Sequence, residues 1–302
     1  MKNTWKLAFL FPVMVLAASE GFTAETLKLR PVLSVYGDAM GSGLRQPEGV
    51  GCDGKSTMVV ADTGNGRIVK FGVSGETLTP VAVFALPELP YPVRVWVNSK
   101  GEIFALDGKL QKIARLSSSG EFKGYVAPTE SETGGAMVPR SMQIDSSDNL
   151  YVLDVFSSRV LVLDPDGKYL RKIAFPKDYG FISDLAVSHT GNLFLIDSVG
   201  RKVFTASKDS TTIAPLTGSL QEVLNFPVGI ATDNRGNLFV ADQNGSGVVI
   251  LGSDGSFRGR QLSMGWKEGL LRYPSQVCVT GNGIVFIADR GNNRIQMYST
   301  VQ

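Results

Sequence analysis

Short apolar runs alternate with polar turns along this chain from residue 28 onward, and the alternation is periodic. Six times a proline-like residue is followed fifteen positions later by an aspartate that closes an apolar run: Pro47/Asp62, Pro92/Asp107, Pro139/Asp154, Ile182/Asp197, Pro227/Asp242 and Pro274/Asp289. Successive aspartates lie 45, 47, 43, 45 and 47 residues apart, the period of one four-stranded propeller blade. The fifth unit shows the pattern plainly: VGIATD (228–233), NLFVAD (237–242), GVVILG (247–252) and SFRGRQL (256–262), separated by turns of Asn, Gly, Ser and Asp. Runs this short and this rich in Val, Ile, Leu and Phe predict strands rather than helices. The expected architecture is all-β, a six-bladed β-propeller of four-stranded antiparallel blades.

Recurrence separates scaffold from site. Three residues before each aspartate stand Val59, Phe104, Tyr151, Phe194, Phe239 and Phe286, which predict a set of core side chains between packed sheets. The six aspartates open polar turns, where a carboxylate can accept backbone N–H bonds. Five positions on stand Arg67, Lys112, Arg159, Lys202, Gly247 and Arg294, placing a cation for the acid in five blades. Asp62, Asp107, Asp154, Asp197, Asp242 and Asp289 are therefore expected to be structural rather than ligands of an ion.

The blocks PEGVGCDGKSTMVVADTGNGRIVKFGVSG (47–75) and PSQVCVTGNGIVFIADRGNNRIQMYS (274–299) resemble NHL repeats, and the resemblance extends over the chain after residue 28. It implies a six-bladed propeller. The last unit runs out after its third strand, and residues 27–37 are expected to supply the fourth, so that both ends of the chain close one blade and leave no open edge.

Ahead of that strand, Lys2 and Lys6 precede an apolar stretch, Leu7 to Ala17, too short to span a bilayer. Residues 1–24 are expected to be a secretory signal peptide, cleaved after Ser19 or Ala24, leaving a single propeller domain over 25–302. The expected product is an exported, periplasmic or secreted protein, a monomeric disc with no membrane span. An oxidising compartment makes the two cysteines of interest. Cys52 and Cys278 fall on neighbouring blades with opposite parity, so both face one interface or both face away. A bond between them and two buried free thiols are both open, because packed sheets lie about 10 Å apart except near the axis.

Chemistry is sparse. The single histidine, His189, sits in a turn without triad or metal partners, and haem, P-loop and nucleophile-elbow motifs are absent. Among related propellers, amidating lyases and lactonases rely on histidine or clustered carboxylates. A calcium-dependent hydrolase of the gluconolactonase type remains the alternative, with Asp184, Glu48 and the repeat aspartates as its acids. Otherwise no cofactor and no metal is expected. The formal net charge of +2 offers little attraction to nucleic acid.

Variation concentrates on one face, that of the loops leading into each first strand and the turns joining second to third strands. Two residues past each proline-like start stand Gly49, Arg94, Ser141, Asp184, Gly229 and Gln276, with Arg140 beside Arg94. Arg94, Arg140, Asp184 and Gln276 at the channel mouth, with Tyr91, Phe156, Tyr179, Phe181 and Trp266 around it, form the candidate binding surface for an extracytoplasmic protein or peptide. The connector 127–138 is expected to be mobile. No catalytic residue is assigned, and the expected function is a non-catalytic interaction scaffold.

Overall fold

The computed structural model describes residues 27–129 and 133–301; the expected signal peptide lies outside them. Six four-stranded antiparallel sheets form the molecule. The innermost strands are Gly49–Cys52, Pro92–Val97, Pro139–Ile144, Ile182–Val187, Pro227–Thr232 and Gln276–Val279, each packed against the innermost strands of both neighbouring blades, so the sheets close into a ring. The sequence register survives intact: Pro92 pairs with Asp107, Pro139 with Asp154, Ile182 with Asp197 and Pro227 with Asp242. The proline and the aspartate of each unit thus stand at one end of the blade, here called the upper face.

The circle is closed by the N-terminal strand Lys28–Val35, which pairs antiparallel with Arg294–Val301 and completes the last blade. Its inward-facing Leu29 is buried, and its pairing removes the free edge that the third strand of that blade would present.

Between blades the packing is side chain into side chain. Val59, Phe104, Tyr151, Phe194, Phe239 and Phe286 are at most 5% exposed. Phe239 packs with Val277 and Val285 of the next blade, and Phe194 with Ile230. Burying six such groups contributes roughly 1.5–3 kcal/mol each. Nearer the axis the wedge narrows until side chains no longer fit. At Gly51 an added Cβ would stand 2.1 Å from the Val95 carbonyl oxygen, so the residue is glycine because the next blade's backbone occupies that space.

The same convergence brings Cys52 and Cys278 together: their Cα atoms are 6.2 Å apart and the sulfurs are bonded. The usual separation of packed sheets does not apply on innermost strands, where blades one and six nearly touch.

The repeat aspartates are all fully buried, but the expected pairing with a cation five residues on holds in only three blades. Arg67, Arg159 and Arg294 donate from Nε to Asp62, Asp154 and Asp289 at 2.7, 2.8 and 2.7 Å. Lys112 instead lies over the Tyr125 ring, and Lys202 pairs with no acid among the described residues. Asp107 takes N–H bonds from Tyr91, Lys109 and Leu110, and Asp197 from Gly180, Phe181, Val199 and Gly200. In those two blades backbone amides solvate the carboxylate in place of a cation, and a lysine stem lacks the fork that reaches both carboxylate and carbonyls. In the fifth blade, where Gly247 has no side chain, Arg260 from the outer strand supplies the cation at 2.8 Å.

Arginine at that position also ties down the upper loops. Arg294 donates to the carbonyls of Trp266, Lys267 and Leu270 at 3.1, 2.8 and 2.8 Å. Arg159 donates to those of Thr133, Gly135 and Ala136. These bonds tie the C-terminal part of the connector 127–138 to the third strand of its blade.

Candidate functional site

At the centre of the upper face a cavity of about 300 Å³ opens between the innermost strands, lined by Glu48, Tyr91, Arg94, Arg140, Gln243 and Arg290 among others. Its floor is set by a belt of side chains that hold neighbouring blades together. Gln276 accepts the Val50 N–H at 3.0 Å. Ser141 donates its hydroxyl to Asp184, whose other oxygen accepts the Ile230 N–H at 3.0 Å. Two of the expected binding residues are thereby reassigned: Gln276 and Asp184 are each 2% exposed and bridge blades six to one and three to four to five. Burial pushes the Asp184 carboxyl above its ordinary value, against the lowering influence of the Arg94 charge.

Arg94 and Arg140 are brought together in the cavity. Arg94 is 6% exposed; its Nη1 donates to the Glu48 and Val93 carbonyls at 3.3 and 2.9 Å, while its buried Nε has no acceptor. Arg140 lies above the Phe181 ring, 5.6 Å from its centre, and pairs with no acid among the described residues. Burial, then the like charge of Arg94, depress its affinity for the proton relative to an ordinary guanidinium, although arginine stays charged at any working pH. Arg290 Nε lies 3.3 Å from the Glu48 carboxylate, an ion pair without hydrogen-bond geometry. Three guanidinium groups thus face one carboxylate at the cavity wall.

The aromatic candidates separate into two kinds. Phe156 and Trp266 are each 78% exposed on fixed backbone: Trp266 rides on the loop that Arg294 anchors. Phe181 is 38% exposed and carries Arg140. Tyr91 is half-buried in the cavity wall with Lys109 over its ring. Tyr179 is half-buried: it shares a hydrogen bond with Ser158 at 2.8 Å and packs edge-on against Phe175.

Sequence reasoning missed Arg290 and Gln243. Both occupy the position directly after the repeat aspartate, a register shared with Thr63, Gly108, Val155 and Ser198. Thr63 and Ser198 donate there to the carbonyls of Pro92 and Pro227, so the variability of that column was the available signal for a channel-facing position. His189 is exposed in a lower-face turn and lines a separate funnel on that side. Asp164 and Gly167 close a hairpin turn. Among the described residues, no group of three or more His, Cys, Asp or Glu is placed to hold a metal ion.

Comparison with known proteins places the fold. Residues 271–298 match the NHL repeat family, and no curated protein matches the chain. Solved structures with the same fold include virginiamycin B lyase from Staphylococcus aureus, with a TM-score of 0.60 and 16% identity over 91% of this chain and all of that one. A protein assigned as a gluconolactonase superimposes with a TM-score of 0.62 at 16% identity over 91% and 93% of the two chains. A luciferin-regenerating enzyme does so with 0.60 at 16% over 89% and 96%. At such identities the likeness is one of fold, and enzymes occur among the propellers that share it. The chain is a six-bladed β-propeller with an NHL repeat in its last blade.

Proposed function

We propose that the protein is an exported, non-catalytic interaction module whose upper face binds an extracytoplasmic protein or peptide. One observation carries this reading. Of the thirteen large apolar side chains exposed among the described residues, nine lie on the upper face: Tyr36, Met40, Leu110, Phe156, Phe181, Val199, Met264, Trp266 and Tyr273. Of the other four, Val81, Leu170 and Phe257 lie on outer strands and Val301 ends the third strand of the last blade. Apolar groups gathered on one face of a rigid disc, on loops anchored by buried arginines, are the composition of a protein-binding surface.

The hydrolase reading draws on the enzymes that share the fold, which is analogy. It requires acids free to bind calcium at the channel mouth. Glu48 is paired with Arg290, Asp184 is held within the belt by Ser141 and the Ile230 N–H, and each repeat aspartate is buried within its own blade. These engagements favour the module.

The test is crosslinking of the tagged protein in its native compartment, followed by affinity capture. Capture of a reproducible partner that is lost in Phe156→Ala/Trp266→Ala, and retained when the lower-face His189 is replaced by alanine, supports the reading. Capture indifferent to the upper-face pair ends it.

A further inference from the structure

We propose that the upper cavity is a carboxylate receptor: it takes an acidic side chain of a peptide segment that rests on the surrounding apolar rim. The inference rests on the interaction-module reading and specifies its ligand.

Charge balance comes first. Arg94, Arg140 and Arg290 meet a single carboxylate at the wall, Glu48, and Arg290 already engages it. Arg94 and Arg140 are left adjacent, and among the described residues neither makes an ion pair; the nearest further acid, Asp184, is held by Ser141 and the Ile230 N–H and acts on them only at longer range. Arg94 is buried and Arg140 stands exposed at the mouth in front of it; like charges so placed repel, and partial desolvation, then the Arg94 charge, depress the proton affinity of Arg140. An arrangement that costs stability in the free protein is relieved by an anion between the two groups.

Hydrogen bonding points the same way. A guanidinium carries five N–H donors, and among the described residues only Nη1 of Arg94 finds protein acceptors. Its Nε is buried without a partner, although the side chain is fixed within the fold. A buried donor left unsatisfied costs about 1–3 kcal/mol, so the residue is not explained by packing alone. Among the described residues Arg140 has no hydrogen-bond partner, and it is positioned by stacking on Phe181. Planar guanidinium groups with free donors recognise planar oxyanions through paired N–H···O bonds.

Size and surroundings select the source of the carboxylate. The cavity, about 300 Å³, stands at the small end of ligand sites, which run from about 300 to 1,000 Å³, and suits one or two side chains. Phe181 at its lip and Phe156 in the adjacent blade are exposed, an apolar border that a small free anion leaves uncovered and a peptide backbone with an apolar neighbour covers. Gln243, half-buried in the wall with its side-chain amide unengaged among the described residues, can pair with that backbone.

The experiment uses the mature protein and a fluorescein-labelled, C-terminally amidated peptide, Gly-Glu-Phe-Glu-Gly, with Gly-Gln-Phe-Gln-Gly as its neutral counterpart, read by fluorescence polarisation. The glutamate peptide is expected to bind at least about tenfold more tightly than the glutamine one, since a charge-assisted hydrogen bond is worth about 1.5–3 kcal/mol. Arg140→Gln, an exposed substitution, and Arg94→Gln, checked by its melting temperature, should each reduce affinity about tenfold, and added salt should weaken binding. Equal binding of the two peptides, or binding of neither, overturns the proposal. Displacement of the peptide by inorganic phosphate at concentrations where acetate has no effect overturns it in favour of a phosphate site. If native partner capture depends on Phe156 and Trp266 but not on Arg94 and Arg140, the interaction module stands and the carboxylate receptor falls.

Discussion

Arg294 and Asp289 form an ion pair at 2.7 Å with side chains 1% and 0% exposed, and the same guanidinium holds three loop carbonyls. A buried pair is retained only if every remaining donor and acceptor is satisfied. Here the lead-in loop of the last blade supplies the acceptors, so the loop's shape and the pair's existence depend on each other.

Replacing Arg294 with methionine leaves Asp289 charged and buried without its partner. The expected loss is about 3–5 kcal/mol, read as a lower urea midpoint, together with increased hydrogen exchange in the loop around Trp266. A loss below about 1 kcal/mol would show that the loop, not the arginine, carries the stability.

Removing residues 27–37 exposes the edge of Arg294–Val301 and takes away the buried Leu29. The melting temperature is expected to fall by more than about 10 °C. A truncated protein that melts with the full-length one contradicts the closure.

Cys52 and Cys278 span a loop of 226 residues. Alkylation of the unreduced, unfolded protein should label neither cysteine in mass spectrometry, and reduction should cost about 2–5 kcal/mol. Two labelled cysteines in the unreduced protein would mean that the thiols are free.

Asp184 provides a pH signature. Its folded-state pKa is raised above the ordinary 3.8 by burial, so over the interval above that value the folded protein binds more protons than the unfolded one. Stability therefore declines as pH rises through this interval. Urea midpoints measured from mildly acid to neutral pH should show the advantage of the native protein over Asp184→Asn shrinking as pH increases. A constant difference would assign Asp184 an ordinary pKa.

The repeat register was legible in the sequence because the Pro-to-Asp interval is a property of one chain segment, and local pairing preserves it. Chain closure was legible too, since the last unit lacked a strand and the first segment offered one. The roles of Asp184 and Gln276 were not. Both occupy the column that faces the channel, and whether such a residue points into solvent or bridges to the next blade depends on what the neighbouring blade presents. Ile230 N–H and Val50 N–H, the groups they satisfy, belong to other repeats. Lys112 and Lys202 looked equivalent to Arg67 by position and proved not to be, because position does not encode the length and fork of the side chain. Tyr179, whose loop position suggests exposure, is half-buried because its hydroxyl finds Ser158.

The final blade has an implication for how the molecule comes into being. Val35 pairs with Ile295, so one joint of the circle is made from the two segments most distant along the chain. Closing so large a loop carries a high entropic barrier. The other five blades are each assembled from a continuous stretch and can form as the polypeptide emerges, whereas the strand Lys28–Val35 must wait, unpartnered, for the last to arrive. Assembly thus has a fixed final step, and until it is taken the incomplete blade is the place where one molecule's waiting strand can pair with another's.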